Sequence, residues 1–124
     1  MKLQVLDCTL RDGGYYLNWD FDENLVKRYL SSVAAAKIDI IEIGFRFLTQ
    51  EKFMGAFAFS TDSYLKTLNL PSNLQISVMI NASELINYKD GINDAVKYLF
   101  NVKKKSPVDI VRIATKASDV DNCN

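Results

Sequence analysis

Apolar positions follow two alternating rhythms along the chain. Residues 2–10, 38–46, 74–81 and 108–115 are strand-length runs dense in β-branched and other apolar side chains. Such runs suit parallel strands covered on both faces. Between them the period lengthens to that of a helix. Val26, Leu30 and Val33 recur at i, i+4 and i+7 and form one apolar stripe. Asp20, with Glu23 three residues on, reads as the capping box that opens this helix. The segment STDSYLKTLNLP, residues 60–71, begins with capping residues and stops at Pro71, which predicts a short helix. Ile92, Val96, Leu99 and Phe100 predict another helical stripe, entered after Asp90 and Gly91, with a helical turn at SELINYKD ahead of it. The predicted order is β-α-β-α-β-α-β: an α/β fold with four parallel strands joined by right-handed crossovers.

Length and composition narrow the possible partners. The 124 residues suffice for one small domain with its own core, and no repeat, linker or low-complexity tract divides them. Formal net charge is zero, which speaks against nucleic acid or a membrane surface held through charge. The run Lys103-Lys104-Lys105 falls at the end of a predicted helix, where cations suit the dipole. No apolar run approaches a membrane span, and the N-terminus enters a strand without a signal-peptide core, so a cytoplasmic location is expected. Cys8 and Cys123 lie at opposite ends without CxxC spacing and are expected to be reduced thiols. The absence of histidine removes the commonest general base and transition-metal ligand from the chain.

Ligands of parallel α/β folds gather at the carboxyl ends of the strands. There the chain has Arg11 and Asp12, then Gly13 and Gly14; Gly44 and Arg46; Asn81; and Thr115 with Lys116. This mixture of cations, a carboxylate and amides suits a small anionic substrate near a divalent metal. Asp12 can ligate Mg²⁺ or Mn²⁺, or serve as a turn aspartate. Arg11 can hold a carboxylate or stabilise an enolate, or form a structural ion pair. The two glycines let the backbone approach a ligand or simply form a turn. Tyr15, Tyr16 and Trp19 read as a lid over the site or as loop packing. FMGAFAFS, residues 53–60, reads as a loop covering the strand ends or lining a pocket.

Strand alternation puts Ile38, Ile40, Glu42, Gly44 and Arg46 on one face of the second strand. By the same rule Val108, Ile110, Arg112 and Ala114 share a face of the fourth. If the sheet curls into a barrel, alternate strands feed the same interior layer, so Glu42 and Arg112 are expected to pair inside it and support the floor of a site. No phosphate-cradling glycine loop, dinucleotide fingerprint or GxSxG elbow occurs.

The stretch LDCTLRDGG, residues 6–14, resembles the D-x-T-L-R-D-G signature of the DRE-TIM metallolyases. Within that superfamily the pyruvate aldolases, with 4-hydroxy-2-oxovalerate aldolase among them, look most similar. IDIIEIGFR resembles their second strand and VDIVRIATKASDV their fourth, with GAFAFSTDSYL between, so the likeness spans most of the chain. It implies a (β/α)8 TIM barrel whose first four strands and helices are present. It further implies that Arg11 stabilises a pyruvate enolate and Asp12 binds the catalytic Mn²⁺ or Mg²⁺, with aldol cleavage or condensation of a small 2-oxo acid. Tyr15, Glu42, Arg46 and Arg112 complete the candidate set as substrate-binding residues. The acyl-transfer branch continues the motif with Glu-Gln, whereas here Gly14-Tyr15 follows, which favours the aldolase side over an isopropylmalate-synthase-like acyl-CoA carboligase. Where the aldolases carry a histidine after R-D-G, this chain has Tyr15 and Tyr16. The family's two histidine metal ligands lie on the seventh strand, and such a barrel runs to about 250 residues. Residues 1–124 are therefore expected to be the N-terminal half of the barrel, with one of three protein metal ligands. They are expected to be inactive alone and to associate with a missing C-terminal half or a second copy. The competing reading is a non-catalytic half-barrel used for assembly or binding.

Overall fold

Four parallel strands form one sheet in sequential order: β1 (Leu6–Asp7), β2 (Ile40–Phe45), β3 (Gln75–Asn81) and β4 (Ile110–Ala114). The structure, a computed structural model, describes residues 3–123. Its helices are α1 (Thr9–Leu17), α2 (Glu23–Ala35), α3 (Asp62–Leu65), α4 (Ala82–Ile86) and α5 (Ile92–Leu99), with 3₁₀ turns at Ala56–Ala58, Lys103–Lys105 and Ala117–Cys123. Each strand lies inside its predicted stretch and is shorter than it; Lys2, the predicted start of the first, lies outside the described residues. Among the described residues no helix is long and apolar enough to cross a membrane.

The predicted stripe of α2 makes the core. Val26, Leu30 and Val33 are buried in one cluster with Ile41, Ile43, Ile76 and Val78 of the sheet. The cap of α2 is Asp22, not Asp20. Its carboxylate accepts from the amides of Asn24 and Leu25, both at 3.0 Å, whereas the Asp20 amide still closes the preceding turn on the Leu17 carbonyl. Thr61 caps α3 by accepting from the Tyr64 amide. Half of the predicted stripe on α5 packs inward: Leu99 and Phe100 lie against the cluster of Ile80, Leu85 and Ala95. Ala95 is buried against Ile80 and Leu85, and Ile92 and Val96 stay exposed. Small Ala95 lets the helix approach closely, so the face it presents to the core is not the bulkiest one. The lysine run lies beyond the end of α5, in its own 3₁₀ turn, where Lys103 bonds Asp109 and the Val108 carbonyl.

The largest departure concerns residues 9–17. The sequence predicts a strand reaching position 10 and then a glycine turn; the chain instead leaves β1 after Asp7 and enters helix α1 at Thr9, carrying Arg11, Asp12, Gly13 and Gly14 inside it. Two glycines disfavour a helix by about 1 kcal/mol each relative to alanine. Tertiary packing overrides that preference at Gly14, where an added Cβ would sit 1.9 Å from the Trp19 ring. The helix ends at Asn18 in the left-handed conformation, and Trp19 follows with φ of +57°. This double left-handed turn throws the indole back beneath α1. Its Nε1–H donates to the Arg11 carbonyl at 3.0 Å, and the ring is only 5% exposed.

Candidate functional site

Glu42 is the centre of the site. It lies in the middle of β2, wholly buried, at 0% exposure. Arg11 Nε donates to its Oε1 at 2.8 Å, and Arg112 Nη1 donates to both carboxylate oxygens at 3.1 Å. Ser77 Oγ, on the adjacent strand β3, donates to Oε2 at 3.4 Å. The alternation rule therefore brings Glu42 and Arg112 together as expected. Arg112 stays accessible, with 45% of its side chain exposed, and Arg11 is added from α1. Burial alone would lower the Arg11 pKa, but the hydrogen bond to Glu42 and the nearby Asp12 charge raise it overall. Ser77 escaped the sequence reading, although a lone hydroxyl within QISVMI was a visible signal. Phe45 escaped it too: its ring lies 5.8 Å from the Arg11 guanidinium carbon.

Arg46 is not part of this cluster, which corrects its expected placement on the face of Glu42. The pairing of β2 with β3 slips between Glu42 and Gly44, so that Glu42 faces Ser77 and Gly44 faces Val78. This β-bulge inserts one residue and reverses the alternation beyond it. Phe45 then takes the face of Glu42. Arg46, 2% exposed, turns to Asp62, to the carbonyls of Ser60 and Leu99, and to the Phe100 ring at 4.8 Å. Gly44 is required there, since a Cβ would meet the Phe57 carbonyl oxygen at 2.1 Å. Phe57 and Ala58, in the aromatic stretch, are core residues rather than a cover over the strand ends.

Asp12 lies near the cluster but is already engaged. Its Oδ1 accepts from Arg11 Nη1 and its Oδ2 from the Cys8 thiol at 3.2 Å. The hydrogen bond to Asp12, with burial, pushes the Cys8 pKa up. Among the described residues no group of three or more histidines, cysteines or carboxylates could hold a metal ion. These residues thus do not make a divalent-metal site by themselves: Asp12 offers one carboxylate, neutralised by a guanidinium.

Tyr15 lies one turn after Arg11 on α1, its ring packed edge-on against Trp19 at 5.0 Å and Phe45 at 6.0 Å, and remains 61% exposed. Tyr16 points into solvent. Trp19 is internal, so these three aromatics do not act as one lid.

The fold and site together define a four-stranded parallel α/β sheet with two arginines on one buried carboxylate. No protein-family model matches the chain, and no curated protein matches it. Among solved structures, the chain is similar to one described as the "Crystal structure of the N-terminal domain of a putative aldolase from Bacteroides vulgatus". The two share 33% identity and superpose with a TM-score of 0.72, over 98% of this chain and 38% of that one. The chain thus spans well under half the length of this relative.

Proposed function

We propose that residues 1–124 form the N-terminal part of a lyase that makes or breaks a carbon–carbon bond beside the carbonyl of a small 2-oxo acid, as in 4-hydroxy-2-oxovalerate aldolases. The observation that carries this reading is the buried Glu42, in the middle of β2, holding Arg112 of β4 and Arg11 of the helix that follows β1. The similarity to the N-terminal domain of an aldolase so described supports it. The rest of a (β/α)8 barrel would come from beyond these residues.

In this reading the half-exposed guanidinium of Arg112 takes the substrate carboxylate. Arg112 uses one terminal nitrogen on Glu42, and a fork geometry suits a second carboxylate on its open side. Arg11 lies beside it and faces the 2-oxo oxygen. The substrate hydroxyl gives its proton to a base as the carbon–carbon bond breaks and the aldehyde forms. The bonding electrons pass to the 2-oxo oxygen as an enolate, which the fixed guanidinium stabilises without reorganising. A proton returned to the enolate carbon completes pyruvate. Tyr15 presents its phenol on the same helix. A Mn²⁺ or Mg²⁺ ion at Asp12 would require further ligands from outside these residues and would share the carboxylate with Arg11 and Cys8.

The test is pyruvate release from 4-hydroxy-2-oxovalerate by the longer protein to which these residues belong. Arg11→Lys keeps the charge and loses the fork, and is expected to lower kcat by about 10²-fold with a modest change in KM. Full activity in Arg11→Lys would remove the enolate role. A requirement for an acyl-CoA co-substrate would move the protein to the carboligase branch.

One observation favours association as well. Val111 and Ile113 on β4, and Leu3 and Val5 beside β1, are exposed at the two open edges of the sheet. Unpaired apolar edges recruit further strands. Sedimentation velocity of this chain is expected to show self-association that rises with concentration; a monomer at high concentration would count against it.

A further inference from the structure

We infer that the recess between α1, the loop after β2 and the start of α4 binds the flat apolar substituent of a small molecule, an aromatic ring above all. The recess has a volume of about 450 Å³ and is lined by Tyr15, Trp19, Phe47, Met54, Lys52 and Glu84 among others. That volume lies within the usual range for small-molecule pockets. That the ligand is the aldehyde partner of the reaction rests on the lyase reading above; the apolar preference of the recess does not.

Its wall is assembled at a conformational cost. Asn18 and Trp19 both take left-handed backbone conformations to seat the indole, and Trp19 is a bulky residue for that region. Gly14 clears space for the ring, and Gly55 packs on the Trp19–Asp20 backbone, where a Cβ would meet the Trp19 carbonyl oxygen at 2.3 Å. Phe47 stacks on Phe45 at 4.4 Å and 12°, and Trp19 meets both edge-on at 5.2 and 5.6 Å. A further ring can join such an array by the same edge and offset contacts. Phe45 also neighbours the Arg11 guanidinium. One ring stack therefore links the recess to the paired arginines, so that a ligand with an anionic end and an apolar end could span both.

The rim carries Glu51, Lys52 and Glu84, so its charges largely offset one another and the rings set the preference. Glu84 is already satisfied by the Leu48 amide at 2.6 Å and by Asn81 at 3.2 Å. Lys52 would repel an ammonium ion and its neighbour Glu51 would attract one, which is why tetramethylammonium is included in the test below.

Trp19 is the single tryptophan of the chain, so tryptophan emission comes from the wall of this recess. The experiment titrates the protein with benzyl alcohol, ethanol and tetramethylammonium chloride in parallel. Benzyl alcohol is expected to change Trp19 emission saturably, and ethanol at equal concentration is not. Phe47→Ala is expected to weaken the benzyl alcohol response about fivefold or more, and Tyr15→Ala, at an exposed position with little bearing on folding, about threefold. No saturable change, an equal response to ethanol, a stronger response to tetramethylammonium, or indifference to Tyr15→Ala in a folded variant would each overturn the inference. The readout needs neither a 2-oxo acid nor a metal. If it succeeds while 2-oxo acid cleavage fails, the lyase reading falls and the recess stands; the converse result removes only the recess.

Discussion

Glu42→Ala is expected to cost about 3–5 kcal/mol of stability, the usual range when one partner is removed from a buried charge cluster. Glu42 has no exposed surface, and two guanidiniums converge on it. The two arginines would respond differently. Arg112 is open enough to regain water. Arg11 has only 14% of its side chain exposed and would keep Asp12 alone as a counter-charge. Most of the loss therefore arises from Arg11, together with the cavity left in the strand. Glu42→Gln keeps the shape and one acceptor and is expected to cost less, about 1.5–3 kcal/mol. Urea unfolding monitored by circular dichroism checks both; a cost below about 1 kcal/mol for Glu42→Ala would mean that water already screens the cluster.

Arg46→Met should be comparably severe, about 3–5 kcal/mol, and should also change the response to acid. Methionine fills similar space but withdraws the donors to Asp62, Ser60 and Leu99. Asp62 is 7% exposed and also accepts from Asn101 and Ser106, each at 2.8 Å. Burial raises the Asp62 pKa, but the hydrogen bonds from Asn101, Arg46 and Ser106 outweigh it and hold the carboxyl below its ordinary value of 3.8. Between the two values the unfolded chain carries the proton and the folded chain does not. Stability from this group is thus fully present above 3.8 and is lost as pH falls through the lower folded value. Asp7 and Asp109 are depressed in the same direction, so the wild-type protein loses stability in acid through all three. In Arg46→Met the depression at Asp62 shrinks, and the acid loss attributable to it shrinks too. Denaturant midpoints measured from pH 7 to pH 3 for both proteins test this. Parallel pH curves would show that Asn101 and Ser106 hold the carboxylate without Arg46.

The two charge clusters are the products of a single slipped residue. Without the bulge after Glu42, Arg46 would stand on the same face as Glu42 and crowd three arginines around one carboxylate. With it the arginines divide: Arg11 and Arg112 share Glu42 within the sheet, and Arg46 pairs with Asp62 at the start of α3. The same slip brings Phe45 beside Arg11 and so links the charged cluster to the aromatic recess.

The amino-acid sequence alone determined the order of the four parallel strands, the apolar face of α2 and the meeting of Glu42 with Arg112. Each follows from a local period, 3.6 for the helix and 2 for the strand, and a period survives wherever the backbone is regular. The tertiary structure decided what depends on irregular backbone or on distant partners. Residues 9–17 became a helix despite two glycines because Trp19 needs the space that Gly14 leaves. Asp22 rather than Asp20 caps α2 because the left-handed turn at Asn18 and Trp19 delays the helix start. Arg46 changed faces because strand β3 pairs with β2 out of step by one residue, a fact written in no single segment of the chain.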